Sequence, residues 1–323
     1  MFDNIISFID RHKSFILTTH DTPDADGLGS QMVLAAILRI SGKTVKIINS
    51  DPVPKNLNFL IITQEAETWN REKHLSFLEN SAMLVLDTSE EYHIGIMRKH
   101  LKKTKEVFTI DHHEPALRKN IPGFIDSSAA STAELAVELA CYMGIELDPQ
   151  TATAAYAGIV YDTGFFAYPR TNLRTFRAAS KTIEWGTDPN YIYKHMMEQS
   201  SYYAVLLQKQ ALTNLVFYVD KKLAVLKLSR EDFKITGADF EDAENIVNIP
   251  LRAKEVEISL LFKEKESGEM RCSLRSKGRV NVSKIAQVFG GGGHVAAAGF
   301  KSSLRMEEIF KKLLPIIESR LVE

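Results

Sequence analysis

The chain has 323 residues, of which 45% are hydrophobic and 25% are charged, and its formal net charge is −1. This length favours two compact domains over one. No apolar stretch approaches the roughly 20 residues of a membrane span, and the near-zero charge argues against a protein that follows long nucleic acids by neutralising their phosphates.

The N-terminus and the cysteines indicate a reducing compartment. The first residues, Met1 to Asn4, show neither the basic segment nor the small-residue cleavage site of a secretion signal. Cys141 and Cys272 are far apart in the chain, and neither belongs to a CxxC pair. We therefore expect a cytoplasmic protein whose two cysteines are buried free thiols.

Short apolar strands alternate with helices through the first 185 residues. The spacing of apolar residues predicts helices over 2–11, 28–40 and about 131–143, and a helical region from 151 to 185 that is broken at 162–164. Apolar, β-prone runs predict strands over 15–19, 45–48, 82–86 and 106–110. This alternation predicts an α/β domain with a parallel sheet that is covered by helices on both faces.

The pattern changes after residue 187. Gly186, Pro189 and many polar residues predict a linker over about 188–201. Beyond it, the chain predicts strands and helices in mixed order: strands near 214–219, 223–228, 256–262 and 270–274, and helices near 202–211, 282–289 and 306–321. We therefore predict a first domain over 1–187 and a smaller α+β domain over 202–323.

Aspartates and histidines follow four of the apolar segments in the first domain. The ligand-type residues are His20, Asp24 and Asp26 after the first strand, Asp87 after the third, Asp111, His112 and His113 after the fourth, and Asp162 after the strand-like segment 159–161. Each group alone could be a solvated turn. In an open α/β sheet, however, the carboxyl ends of the strands lie at one edge, where ligands bind. Carboxylates combined with imidazoles favour Mn²⁺ over metals that prefer thiolates.

A glycine run in the second domain indicates anion binding. Gly290, Gly291, Gly292 and Gly293 precede His294, and glycines allow backbone N–H groups to approach an anion closely. Arg275, beside Ser276, offers a guanidinium that suits a phosphate. Residues 252–284 contain nine Lys or Arg against five Asp or Glu. Together these features predict a positive pocket.

These segments resemble the DHH family of phosphoesterases. The four ordered motifs are THDTPDADGLGSQ, VLDTS, IDHHE and GIVYDTG, and the segment SLRSKGRVNVSKIAQVFGGGGHVAAAGF is similar to the DHH-associated C-terminal domain. The resemblance covers nearly the whole chain, in the right order and spacing. Within the family, the chain is most similar to the two-domain oligoribonuclease and 3′-phosphoadenosine 5′-phosphate phosphatase group.

The resemblance implies two divalent cations, Mn²⁺ in the first place, with Mg²⁺ or Co²⁺ as alternatives. One ion would be bound by His20, Asp24 and Asp87, and the other by Asp26, Asp87, His112 and Asp162, so that Asp87 bridges them. A water activated between the ions would attack phosphorus. His113 would contact the phosphoryl oxygen or assist proton transfer. The second domain would hold the nucleotide across a cleft through Arg275, Ser276, the glycines and His294.

The implied activity is hydrolysis of short oligoribonucleotides, of 3′-phosphoadenosine 5′-phosphate, or of both. Four other functions stay open: a RecJ-type single-strand exonuclease, an exopolyphosphatase, a cyclic or linear dinucleotide phosphodiesterase, and an inactive nucleotide-binding regulator. The glycine run argues against an inorganic pyrophosphatase. We expect substrates of two to about five nucleotides, because the basic excess is confined to one stretch. We expect no membrane partner and leave a homodimer open.

Overall fold

The computed structural model describes residues 2–60, 65–114, 121–293 and 295–322. They form two compact units, Met1–Gln199 and Ser200–Glu323, and each unit has its own sheet. His294 lies outside the described residues. No helix in the described ranges is long and apolar enough to cross a membrane.

The first unit contains a parallel sheet of six strands. They are β1 (Ser14–Thr18), β2 (Thr44–Asn49), β3 (Ala66–Thr68), β4 (Ala82–Leu86), β5 (Val107–Asp111) and β6 (Gly123–Ile125). The order across the sheet is β3-β2-β1-β4-β5-β6, and every neighbouring pair is parallel. The predicted parallel α/β architecture is confirmed. The sequence pattern missed β3 and β6, because three residues are too few to show a periodicity.

Seven α-helices accompany this sheet in the described part of the first unit. They are α1 (Asp3–Arg11), α2 (Ala25–Ile40), α3 (Arg71–Glu79), α4 (Thr132–Tyr142), α5 (Pro149–Asp162), α6 (Leu173–Glu184) and α7 (Pro189–Met197). Two 3₁₀ segments lie at Lys55–Leu57 and Gly95–Lys103. Helix α7 falls inside the segment predicted as a linker, and its Ile192 is buried. The proposed domain limits remain a prediction.

Glycines allow α2 and α5 to approach their neighbours closely. A Cβ on Gly29 would overlap the carbonyl of Ala154 in α5, and a Cβ on Gly27 would overlap the hydroxyl of Thr19. Gly158 of α5 lies in the same way against the backbone of Ala25. Both Gly27 and Gly29 lie near the start of α2. They place the first turn of α2 beside the end of α5.

The second unit has a mixed sheet of six strands in the order β11-β12-β10-β9-β8-β7. The strands are β7 (Val216–Tyr218), β8 (Leu223–Leu228), β9 (Ile258–Glu264), β10 (Met270–Ser276), β11 (Gly292–Gly293) and β12 (Ala297–Ser302). Only β8 and β9 pair in parallel. The predicted α+β class is confirmed.

Four α-helices and two 3₁₀ helices complete the described part of this unit. They are α8 (Tyr202–Thr213), α9 (Arg230–Thr236), α10 (Val282–Val288), α11 (Met306–Val322) and the 3₁₀ helices Phe240–Ala243 and Ile246–Arg252. One face of the sheet packs its apolar side chains with those of α10 and α11, including Phe262, Leu274 and Ile309. Leu226 and Leu261 belong to a separate core with residues of α8 and the 3₁₀ helices.

The cysteines differ from the expectation of two buried thiols. Cys272 is buried in β10, and burial raises the pKa of its thiol. Cys141 is exposed, so the expectation is wrong for this residue. It lies in the last turn of α4, three residues after the half-buried Glu138 and therefore on the same outward side of the helix.

Candidate metal centre

The carboxyl ends of three neighbouring parallel strands deliver most of the candidate ligands. His20 follows β1, Asp87 follows β4, and His112 follows Asp111 at the end of β5. Because β1, β4 and β5 are adjacent and parallel, these residues lie at one edge of the sheet. Asp24 caps α2 by accepting hydrogen bonds from the backbone N–H groups of Asp26 and Gly27 at 3.0 and 3.1 Å.

Three overlapping groups of side chains have ligand atoms within 4.8 Å of one another. The groups are His20, Asp24 and Asp87; Asp26, His112 and Asp162; and Asp87, His112 and His113. The structure therefore brings all six metal ligands expected from the sequence into one cluster, and it places His113 beside them.

Asp162 reaches this cluster from a helix. The sequence predicts a helical region from 151 to 185 that is broken at 162–164, and it also shows a strand-like segment over 159–161. The structure has the helix, and Asp162 is the last residue of α5. The side chain of Asp148 and the following Pro149 begin this helix, and alanines fill its middle. These signals favour a helix over a strand. Asp162 therefore lies near the sheet edge because α5 packs on α2, not because a strand ends there.

The ring of His20 is oriented with one nitrogen directed at two carboxylates. Its Nδ1 lies 2.8 Å from the carbonyl oxygen of Asp21. A carbonyl only accepts hydrogen bonds, so Nδ1 carries a proton in this contact. Nε2 lies 3.6 Å from Asp24 Oδ1 and 3.6 Å from Asp87 Oδ2. This arrangement resembles a metal-ligating histidine whose second nitrogen is fixed by a hydrogen bond.

His112 provides the test of whether the cluster fits a cation. Its Nδ1 faces the carbonyl of Ala129 at 3.4 Å, and its buried Nε2 has no hydrogen-bond partner among the described residues. Nε2 lies 3.0, 3.5 and 3.8 Å from oxygens of Asp162, Asp87 and Asp26. A nitrogen lone pair surrounded by carboxylates is unfavourable unless a positive charge lies among them. The residues therefore fit a divalent cation.

The charges of the cluster point to the same conclusion. Burial, together with the neighbouring Asp87, Asp162 and Asp24, raises the pKa of Asp26 well above its usual range. Burial also raises the pKa of Asp162. Burial opposes a charge on His20, but its hydrogen bonds to Asp24 and Asp87 raise the pKa of His20 to about 11. Without a metal, protons thus take the place of cations.

The N-terminus of α4 holds two of the carboxylates. The backbone N–H groups of Thr132 and Ala133 donate to Asp26 at 2.7 and 2.8 Å. The hydroxyl of Thr132 donates to Asp87 Oδ1 at 2.8 Å. Asp87 has a φ of 64°, a left-handed conformation that is uncommon outside glycine and that often occurs at functional sites. Sequence reasoning missed Thr132, because a threonine at the start of a helix carries no ligand signal.

His113 is oriented by Asp111. The carboxylate of Asp111 accepts from the backbone N–H of His113 at 3.1 Å and lies 2.8 Å from its Nδ1. This hydrogen bond raises the pKa of His113 to about 9. Asp111 is buried, whereas the side chain of His113 is 55% exposed. Asp111 is one of the ligand-type residues that the sequence places after the fourth strand, and in the structure it orients His113.

Arg170 is a further cation near this cluster. Its Nη1 donates to the backbone carbonyl of His112 at 3.3 Å. Sequence reasoning missed this residue, since a single arginine eight positions after Asp162 has no spacing that marks it.

The second unit contains a basic pocket of about 650 Å³. Arg275, Gly290 and Gly291 line it, as the sequence predicted for an anion site. Ser276 does not line this pocket. Its hydroxyl donates to the carbonyl of Val280 at 2.7 Å and accepts from the N–H of Gly278, so it closes the turn that follows Arg275.

The glycine run has a different local structure from the expected anion loop. The N–H groups of Gly290 and Gly291 donate to carbonyls at the end of α10, at 3.1 and 3.0 Å, and are therefore occupied. Gly292 and Gly293 form β11 and pair with β12. A Cβ on Gly291 would overlap the carbonyl of Gly299. The glycines thus permit close strand packing at the wall of the pocket.

Comparisons with known proteins cover both units. The model of the DHH family N-terminal domain matches residues 14–159, and the model of the DHHA1 domain matches residues 220–323. A Streptococcus mutans protein named probable bifunctional oligoribonuclease and PAP phosphatase NrnA is 29% identical, over 98% of this chain and 99% of its own length. The bifunctional oligoribonuclease and PAP phosphatase NrnA of Thermus thermophilus is 27% identical, over 94% of this chain and 89% of its own length.

The fold is similar to that of a solved structure. An exopolyphosphatase-related protein from Bacteroides fragilis matches with a TM-score of 0.87 and 26% identity. The match covers 100% of this chain and 97% of that protein. The likeness therefore extends over both units and is not confined to the sheet that carries the acidic cluster.

Proposed function

Because the chain joins the N-terminal domain of the DHH family to a DHHA1 domain and is a phosphoester hydrolase, we propose that it cleaves short oligoribonucleotides and 3′-phosphoadenosine 5′-phosphate. The observation that carries the proposal is the cluster of carboxylates around the buried Nε2 of His112, which lies 3.0 to 3.8 Å from oxygens of Asp162, Asp87 and Asp26. The choice of substrates rests on relatives that match over nearly their whole length and are named for these two activities.

Two divalent cations, Mn²⁺ in the first place, are part of the proposal. When bound, they would neutralise the crowded carboxylates, draw charge from the phosphoryl oxygens and make a water acidic enough to react near neutral pH. We assign His20, Asp24 and Asp87 to one ion. The other ion is assigned to Asp26, Asp87, His112 and Asp162. The contacts of Asp87 with both His20 and His112 support its place as the shared ligand.

His113 is the proposed proton donor to the leaving oxygen. Asp111 holds its Nδ1, and the ring is more than half exposed, so its other nitrogen is accessible to a substrate. In the metal-free protein, the hydrogen bond to Asp111 raises the pKa of His113 to about 9. Arg170 would lie close enough to contact a phosphoryl oxygen while its other nitrogen remains on the carbonyl of His112.

The second unit is proposed to bind a nucleotide phosphate at Arg275. Burial lowers the pKa of this guanidinium, which nonetheless remains charged. Among the described residues, its Nη1 donates to the carbonyl of the neighbouring Leu274 at 3.0 Å. The glycines would shape the wall of this pocket. Ser276 would act by fixing the turn after Arg275, and His294 remains a proposed contact outside the described residues.

A hydrolysis screen with Mn²⁺ and with EDTA tests this function. The substrates are 3′-phosphoadenosine 5′-phosphate, linear and cyclic dinucleotides, longer RNA and DNA, and polyphosphate. We expect Mn²⁺-dependent release of adenosine monophosphate from the first and of mononucleotides from the linear dinucleotide. Faster turnover of cyclic dinucleotides, long strands or polyphosphate would favour the corresponding alternative. Binding without any turnover would indicate a regulator.

A further inference from the structure

Three cations lie side by side across the sheet of the second unit. In the strand register, Lys263 of β9 pairs with Arg271 of β10, and Arg271 pairs with Lys301 of β12. All three line the basic pocket, as does Arg275. Like charges directly opposite one another destabilise a sheet unless something compensates them. We call Lys263, Arg271 and Lys301 the basic row.

Among the described residues, few carboxylates lie close to these three cations. Lys263 is only 6% exposed, and its ammonium forms no ion pair with any described residue; it lies over the ring of Phe240 at 4.5 Å. Burial lowers the pKa of Lys263 accordingly. Arg271 contacts Glu269 only through Nε at 3.4 Å. Glu244 is the one carboxylate that lines the pocket, against four cations.

Arg275 is separated from the basic row along β10. Arg271 and Arg275 point to the same face of β10 and are four residues apart, which corresponds to about 13 Å along a strand. Ser273 lies between them, opposite Gly299, and both line the pocket. Because Ser273 and Gly299 are small, the pocket stays open between the basic row and Arg275. Stacked nucleotides advance by about 3.4 Å each, so this separation corresponds to roughly four nucleotides.

We propose that Lys263, Arg271 and Lys301 form a second phosphate subsite. It binds one backbone phosphate of an oligonucleotide while another phosphate of the same strand lies at Arg275. This inference deepens the proposed function and rests on it for the role of Arg275. The subsite offers positive charge but no groups that distinguish bases. Its contribution to binding therefore depends on the length of the oligonucleotide and not on its base sequence. A dinucleotide or 3′-phosphoadenosine 5′-phosphate held at Arg275 is too short to reach it.

The test compares substrates of two lengths in matched variants. The double variant Arg271→Gln, Lys301→Gln removes the two more accessible charges, and Lys263→Met removes the buried one while keeping its apolar stem. Lys265→Gln is the control, because Lys265 carries the same charge on the same hairpin but does not line the pocket. The readouts are KM for a 5′-phosphorylated di- and pentaribonucleotide with Mn²⁺, and the Kd of the pentamer in EDTA.

The double variant and Lys263→Met are each expected to raise the ratio of pentamer KM to dimer KM by about tenfold. This is the effect of losing one charge-assisted contact to a phosphate. Lys265→Gln should leave the ratio unchanged. An unchanged ratio and Kd, or an equal loss for both lengths, would overturn the subsite. If the unmodified protein hydrolyses neither substrate, the proposed function fails, and the Kd of the pentamer in EDTA still decides the subsite by itself.

Discussion

The hydroxyl of Thr132 donates a 2.8 Å hydrogen bond to Oδ1 of Asp87, the carboxylate that faces both His20 and His112. The backbone N–H of the same residue binds Asp26 at 2.7 Å. One residue at the start of α4 therefore holds a carboxylate from the end of β4 and another from α2. This contact orients ligand oxygens without contacting a substrate.

Thr132→Val is expected to weaken Mn²⁺ binding and kcat/KM by about tenfold, the lower end of the range for residues that orient metal ligands. Valine keeps the shape but leaves Asp87 Oδ1 without its donor, which should also lower the free energy of unfolding by about 1 kcal/mol. Calorimetric titration with Mn²⁺ measures the first effect, and urea unfolding in EDTA the second. Thr213→Val, an exposed threonine of α8, is the control. Unchanged metal affinity would contradict the positioning role.

Asp87→Asn is expected to abolish Mn²⁺-dependent turnover while the protein remains folded. A neutral amide cannot balance two dications, whereas asparagine tolerates the left-handed backbone at this position. In EDTA the variant should be at least as stable as the unmodified protein, because one of the repelling carboxylates is gone. Thermal unfolding with and without Mn²⁺ tests both points. A folded variant that keeps substantial Mn²⁺-dependent activity would refute the shared-ligand assignment.

The pair formed by His113 and Asp111 should make stability depend on pH in the metal-free protein. The pKa of His113 is raised from 6.5 to about 9 by its bond to Asp111, so the stabilisation is complete below pH 6.5 and disappears as the pH rises through 9. The ring is more than half exposed, and screening reduces the expected contribution to roughly 1 kcal/mol. Urea unfolding in EDTA at pH 6 and pH 10 should show a difference between the unmodified protein and His113→Gln only at pH 6. An equal difference at both pH values would exclude the ion pair.

Arg275→Ala is expected to weaken nucleotide binding by roughly 1.5–3 kcal/mol, the size of a hydrogen bond to a charged group. Metal content should not change, because Arg275 belongs to the other unit and is not in the acidic cluster. Calorimetry with adenosine monophosphate, and metal analysis of the same sample, measure the two quantities. Arg305→Ala, which removes an exposed arginine paired with Glu308, serves as the control. Loss of Mn²⁺ with normal nucleotide affinity would reverse the assigned roles.

Substrate length should be limited. The protein is nearly neutral, and its local excess of Lys and Arg over residues 252–284 lies in the second unit, where four cations line one pocket. For a pentaribonucleotide we expect log affinity to fall with log salt at a slope set by two or three neutralised phosphates, at about 0.7 per phosphate. Hydrolysis of RNAs of 2, 5 and 24 nucleotides at two salt concentrations measures this. Faster, processive degradation of the longest strand with a steep salt dependence would support an exonuclease of the RecJ type instead.

Local patterns were sufficient for most of the fold. Strand β8 over Leu223–Leu228 matches its predicted bounds, because an apolar run bounded by polar residues is a short-range signal. The same signals missed the seven-residue helix α9 and the two-residue strand β11, which are too short to repeat a pattern. They predicted the helical region that ends at Asp162, although the β-prone triplet before this residue resembles the end of a strand.

The sequence by itself indicated the chemical type of the proposed centre, since His20, Asp87 and His112 each follow an apolar strand and the carboxyl ends of parallel strands lie at one edge of a sheet. Only the tertiary structure decided that Thr132 holds Asp87, that Ser276 closes a turn, and that Lys263, Arg271 and Lys301 stand in one row. These relationships join residues that are distant in the chain. They depend on strand register and helix packing, which are set by the free energy of the whole fold. No periodic pattern within a single segment records them.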